Sequence, residues 1–129
     1  MAKLKCYYAH TMLSYDSSIE ARDVKVLEDL GFEVINPNTP DLQEACNKYI
    51  NKYGRNRVME YFKEIIFHCD LLAFRSLPEG KILSGVSVEI SEAILCDIPV
   101  IELPCSLEDR MMHYPETKQY LTEIGFYKE

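Results

Sequence analysis

The sequence predicts an α/β protein: a doubly wound, mainly parallel sheet of four to five strands covered by helices. Three observations carry that reading. Short apolar runs alternate with longer segments of helical period along the chain. The first strand, helix and second strand follow one another through short connections, which implies a right-handed parallel crossover. A later run, "IPVIELP", is apolar without a break up to Glu102, as strands covered on both faces are. A chain of 129 residues supports one domain with its own core and leaves little room for a second.

The elements follow in order. "KLKCYYA" is a short first strand. "SYDSSIEARDVKVLEDLG" is a helix whose Ile19, Val24, Val26, Leu27 and Leu30 lie broadly on one face, and Gly31 stops it at a C-cap position. "FEVINP" is a second strand, ended by Pro37. "TPDLQEACNKYINKYGRNRVMEYFKEIIFHC" reads as two helices broken near Gly54, with Pro40 in the first turn of the first, where a missing N–H costs nothing. "DLLAFRS" is a buried strand, and Asp70 at its start is placed to satisfy backbone groups. "LPEGKIL" is a loop, a helix over 84–96 follows, and "IPVIELP" is the fourth strand. The remainder supplies one or two helices and a short final strand. The expected strand order is 2-1-3-4, flavodoxin-like or Rossmann-like, with or without a fifth strand from the C-terminal segment.

In such sheets a ligand sits beyond the carboxyl ends of the strands, near the switch point. Three segments converge there. They are the loop after the first strand (Ala9, His10 and Thr11 on to Ser14), the loop after the second (Asn36 to Pro40, including Pro37), and the turn into the helix that begins at Ser84 and Gly85.

Composition excludes several classes. The balance of 47% apolar and 27% charged residues is that of a water-soluble globular protein. No apolar run reaches the roughly 18 residues of a membrane span. The first ten residues hold no long apolar stretch or small-residue cleavage site, so no signal peptide is expected. A net charge of −7 argues against a nucleic-acid polymer as partner. A small anion held by backbone N–H groups stays open. The cysteines (Cys6, Cys46, Cys69, Cys96 and Cys105) are odd in number and lack C-x-x-C spacing, and His10, His68 and His113 are scattered. Neither a metal site nor a disulfide framework is expected, and a reducing cytoplasm is the expected compartment.

Glu89 raises the functional question. Ser84 is the expected N-cap, and Val86, Ile90, Ala93 and Ile94 follow the helical period and face the sheet. Glu89 then falls beside that stripe, and Glu92 turns toward solvent. The positive end of the helix dipole favours an ionised Glu89. A partly buried carboxylate kept charged has the properties of a nucleophile. Glutamate is favoured in the first turn of any helix for the same reason, so spacing alone leaves a plain surface role open.

The stretch "GVSVEISEAILCDIPVI" resembles the G-[TV]-x-x-E-[IL]-G-x-A…P-V-I signature of the nucleoside 2-deoxyribosyltransferase-like superfamily, the deoxyribosyltransferases and nucleotide N-glycoside hydrolases. Gly85 and Glu89 fall on its glycine and catalytic glutamate, and Ala93, Pro99, Val100 and Ile101 also match. "CYYAHTM" is similar to the family's first strand and loop and puts Tyr7 on the tyrosine that orients the glutamate. "LEDLGFEVINP" and "IIFHCDLLAF" are similar to further segments in the same order, and the family's acidic residue before the latter strand falls at Glu60. The chain departs at Leu83, where the transferases carry Asp and the monophosphate hydrolases Ser. It departs again at Ser91, in place of the second glycine, and at His10–Thr11, in place of a Gly- and Arg-rich loop.

The resemblance implies attack of Glu89 on the anomeric carbon of a nucleoside or nucleoside 5′-monophosphate, a covalent glycosyl-enzyme, and its resolution by water or a second base. Tyr7 would hold the carboxylate, and Glu60 would position or protonate the base. Ala9, His10, Thr11, Pro37, Ser84, Gly85 and Ser87 would bind the substrate. No metal or organic cofactor is implied, and a homodimer or larger homo-oligomer is. The aromatics Tyr49, Tyr53, Tyr61 and Phe62 wall the base or pack the inserted helices, and Arg55 and Arg57 clamp a phosphate or form a solvated turn. A nucleotide-binding protein without turnover is the alternative function.

Overall fold

The computed structural model describes residues 3–78, 80–104 and 111–127. Four strands form one all-parallel sheet in the order β2-β1-β3-β4: β1 (Lys5–Ala9), β2 (Glu33–Ile35), β3 (Leu71–Phe74) and β4 (Val100–Glu102). The α-helices among the described residues are α1 (Ser18–Asp29), α2 (Pro40–Tyr53), α3 (Val58–Phe67), α4 (Ser84–Leu95) and α5 (Tyr114–Glu123). The predicted class and strand order therefore hold. No fifth strand occurs among the described residues: the chain after α5 turns at Gly125 without pairing to the sheet. Cys105 and the start of the C-terminal segment lie outside the described residues.

Side-chain alternation along the strands divides the core into two layers. Tyr7, Ala9 and Leu72 point to one face and pack with Ile66 of α3 and Val86 and Ala93 of α4. Cys6, Tyr8 and Ala73 point to the other and pack with Leu27 of α1 and with Leu103. α1 ends as its glycine predicts. Gly31 has φ +99, its N–H bonds to the Glu28 carbonyl, and the Phe32 N–H reaches back to Leu27. That pair of bonds is a Schellman cap. Gly54, at φ +97, separates α2 from a 3-10 turn (Arg55–Arg57) that leads into α3.

Three local expectations are corrected. α1 begins at Ser18, not Ser14, because residues 12–14 form a separate 3-10 turn and Ser17 accepts the Glu20 N–H as N-cap. The N-cap of α4 is Leu83, in extended backbone and without a side-chain bond, so Ser84 is already helical. Ile94 is 62% exposed, because the inward stripe of α4 runs through Val86, Glu89 and Ala93.

Candidate functional site

Beyond the carboxyl ends of β1 and β3 lies a cleft of about 660 Å³, within the roughly 300–1,000 Å³ usual for small-molecule sites. The loop after β1 contributes His10, Thr11, Met12 and Tyr15, and the loop after β2 contributes Pro37. The α2–α3 pair adds Gln43, Asn47, Arg55, Met59 and Phe62. The start of α4 adds Leu83, Ser84, Gly85 and Glu89, with Tyr7 from β1 beneath. The crossover places these segments together, because β1 and β3 are neighbours whose outgoing connections diverge to opposite sides.

Glu89 is buried and lines the cleft, and it accepts a hydrogen bond from the hydroxyl of the fully buried Tyr7. Burial pushes the Glu89 carboxyl up to about 7, with the Tyr7 hydrogen bond pulling the other way. This corrects the expectation of a carboxylate held fully ionised by the helix dipole. Glu89 sits in the second turn of α4, the dipole acts within the first, and desolvation dominates. Burial first, and then the Glu89 charge, drives the Tyr7 phenol well above its ordinary range, so Tyr7 stays a donor.

The remaining predicted residues divide. His10, Thr11, Pro37, Ser84 and Gly85 all line the cleft. A Cβ built on Gly85 would meet no atom within 4 Å, so the backbone there faces open space. Ala9 is fully buried in the sheet's core and stands off the wall. Ser87 is also off it: its N–H bonds to the Leu83 carbonyl, and its hydroxyl faces Ile82 on the exposed side of α4. Glu60 is exposed, outside the cleft, and pairs with Arg57 at 2.8 Å. Met59 and Phe62 take the inner face of α3, which turns Glu60 outward. Of these four aromatics, Phe62 alone lines the cleft; the Tyr49 ring makes tilted contacts with Tyr53 of its own helix and with Tyr61 of α3. Arg55 lines the cleft and Arg57 does not. Asp70 accepts the Lys5 N–H at 2.8 Å, as its place at a strand start predicts.

Sequence reasoning missed Tyr15. It is half-buried on the cleft wall, and burial, then the nearby Glu89 and Glu20 charges, pushes its phenol up to about 12. The signal was present: Ser17-x-x-Glu20 is a capping-box pattern, and it starts the helix after Tyr15 and leaves that residue in the loop. Among the described residues, no three His, Cys, Asp or Glu side chains assemble as a metal site, and no helix is long and apolar enough to cross a membrane. Comparison of the chain with protein-family models, with curated proteins and with solved structures finds no match in any of the three.

Proposed function

We propose that the chain cleaves or transfers the N-glycosidic bond of a (deoxy)nucleoside or nucleoside 5′-monophosphate, with Glu89 as nucleophile. One observation carries the reading: a buried carboxylate, hydrogen-bonded by a buried tyrosine, lines a ligand-sized cleft at the switch point of a parallel sheet. The motif resemblance around Gly85 and Glu89 supports it. In the first step a Glu89 oxygen bonds to C1′ as the C1′–N bond breaks, and the base leaves with the bonding pair and takes up a proton. In the second, water or the nitrogen of another base attacks C1′, and the carboxylate departs. Tyr7 orients the carboxylate. The first-turn N–H groups of α4 face the substrate's 5′ end. Glu60 is given no part, because it lies outside the cleft. The reaction needs no cofactor, and the working unit is a homodimer or larger homo-oligomer, which light scattering checks.

A second reading is binding without turnover. Glu89 is the only carboxylate among the described residues of the cleft wall, whereas glycosidases use two. One experiment separates the readings. The protein is incubated with deoxynucleosides and their 5′-monophosphates, with and without acceptor bases, and free base is measured. Release of base that falls at least about a hundredfold in Glu89→Ala supports catalysis. An intact nucleotide recovered from the purified protein, with no conversion, supports binding alone. Equal rates in the variant overturn the role of Glu89.

A further inference from the structure

The loop after β1 is held by a buried pair that does not itself form a wall of the cleft on both sides. His10 lines the cleft, whereas Glu20, on α1 behind it, does not. Both ring nitrogens of His10 meet acceptors. Nδ1 lies 3.1 Å from the Tyr8 carbonyl oxygen, and Nε2 lies 2.6 Å from a Glu20 carboxylate oxygen. The ring is thus held at both nitrogens, between β1 and α1.

Glu20 also ties other segments. One oxygen accepts the Asp16 N–H at 3.1 Å. The Asn38 side-chain amide donates to both oxygens, at 3.0 and 3.1 Å, and to the Asp16 carboxylate at 3.1 Å. The Gln43 side chain on α2 donates to the Asn38 side-chain oxygen Oδ1 at 2.5 Å. Asp16 has φ +60, a conformation that costs a non-glycine residue free energy and persists only where its surroundings hold it. One carboxylate thus joins the loop after β1, α1, the loop after β2 and, through Asn38, α2. Cleft residues stand on all of these except α1: Thr11, Tyr15, Pro37 and Gln43 among them.

We infer that Glu20 is a positioning residue: with His10 and Asn38 it forms a clamp that sets the rim of the cleft. The titratable groups facing the pair are Tyr8 of β1, whose ring stacks on His10 at 3.8 Å, and Tyr15 and Asp16 of the loop. Behind Tyr8 stand Asp23 of α1 and Arg75 after β3, and beyond Tyr15 stands Glu89 of α4. From α2 and the loop after β2 the groups are the uncharged Gln43 and Asn38.

The functional consequence rests on the proposed nucleoside or nucleotide site, but the clamp is tested without it. Hydrogen exchange is measured on the wild type, Glu20→Ala, Glu20→Gln and Asn38→Ala. Glu20→Ala is expected to lower protection of residues 10–16 and 36–38 about tenfold or more, while strand amides keep theirs. Glu20→Gln keeps a polar partner for the His10 ring and an acceptor for the Asp16 N–H, so it is expected to rescue most of the rim protection that Glu20→Ala loses. Asn38→Ala, in a part-buried loop, loosens residues 36–38 and Asp16 even if Glu20→Ala fails to fold. The clamp is overturned by unchanged rim protection in both alanine variants, by protection falling equally in every strand, or by Glu20→Gln loosening the rim as far as Glu20→Ala. With deoxynucleosides and their monophosphates as probes, Glu20→Ala is expected to raise KM about tenfold with little change in kcat, since Glu20 touches no reacting atom. Should no such probe bind the wild type, the glycosidic reading fails, and the exchange data still decide the clamp.

Discussion

The Tyr7–Glu89 contact joins two residues that are 82 positions apart in the chain, and each sets the other's protonation. Burial favours the neutral acid and the tyrosine hydroxyl favours the carboxylate, and burial wins, leaving Glu89 near 7. In its proposed role as nucleophile Glu89 must be ionised, so the proposed activity is expected to rise with pH through about 7. Tyr7→Phe removes the hydrogen bond that lowers the Glu89 value. The acid limb of kcat/KM is then expected to move to higher pH, with activity below it falling further than activity above it. An acid limb that stays in place in Tyr7→Phe would mean that another group titrates there. Glu89 was legible in the sequence, since a carboxylate beside an apolar helical stripe at a strand-to-helix turn draws the eye. Its protonation was not, because the dipole is a local property that spacing reveals, whereas desolvation depends on what the sheet and α3 bring around it. Glu60 failed for a related reason. The sequence places it on α3, but the rotation of α3 about its axis is set by Met59 and Phe62 meeting the cleft.

At the scale of elements, α1 is where apolar periodicity misleads. Ile19, Val26 and Leu30 are exposed, and the buried stripe is Glu20, Asp23 and Leu27. That stripe has helical spacing, but two of its three members are acids, so a count of apolar positions passes over it. Their partners come from other elements and are invisible locally. Arg75, just after β3, donates to both Asp23 oxygens, at 2.9 and 2.5 Å, and the Tyr8 hydroxyl donates to Asp23 at 2.6 Å. The four strands of the sheet, by contrast, were legible to within a residue or two, because alternation and turn residues are local signals. Removing one member of a buried ion pair leaves the other charge desolvated, which costs roughly 3–5 kcal/mol. Asp23→Ala is expected to lose about that much in urea unfolding, with a smaller loss for Asp23→Asn, which keeps an acceptor for Arg75 and Tyr8. The exposed pair of Lys25 and Asp29 on the same helix, at 2.8 Å, is the control, and Lys25→Ala is expected to leave the unfolding midpoint unchanged. Equal effects of Asp23→Ala and Lys25→Ala would show that the Arg75 contact does not hold α1 to the sheet.

Across the whole molecule, the proposed chemistry and the stability of the fold make opposing demands on Glu89. The net charge of −7 already counts Glu89 as ionised, and that charge, placed against the sheet rather than in water, contributes to the repulsion within the fold. The carboxyl titrates near 7 in the folded protein against a reference of 4.5. The folded state therefore binds more protons than the unfolded chain between those values, and stability falls as pH rises through them. The contribution of Glu89 is fully present below 4.5 and gone once pH has passed about 7. The difference corresponds to roughly 3 kcal/mol, a large share of the stability of a domain this small. Glu89→Gln keeps an acceptor for the Tyr7 hydroxyl and cannot ionise. It is expected to melt at a higher temperature than the wild type at pH 8 and to lose that advantage below pH 4.5, where the wild-type side chain is neutral as well. The same variant is expected to release no base, because an amide does not attack C1′. Higher melting temperature and lost turnover in one substitution is the signature of a charge kept for chemistry at the expense of the fold. A Glu89→Gln protein that melts with the wild type at every pH would place that carboxylate in water and remove the basis for both expectations.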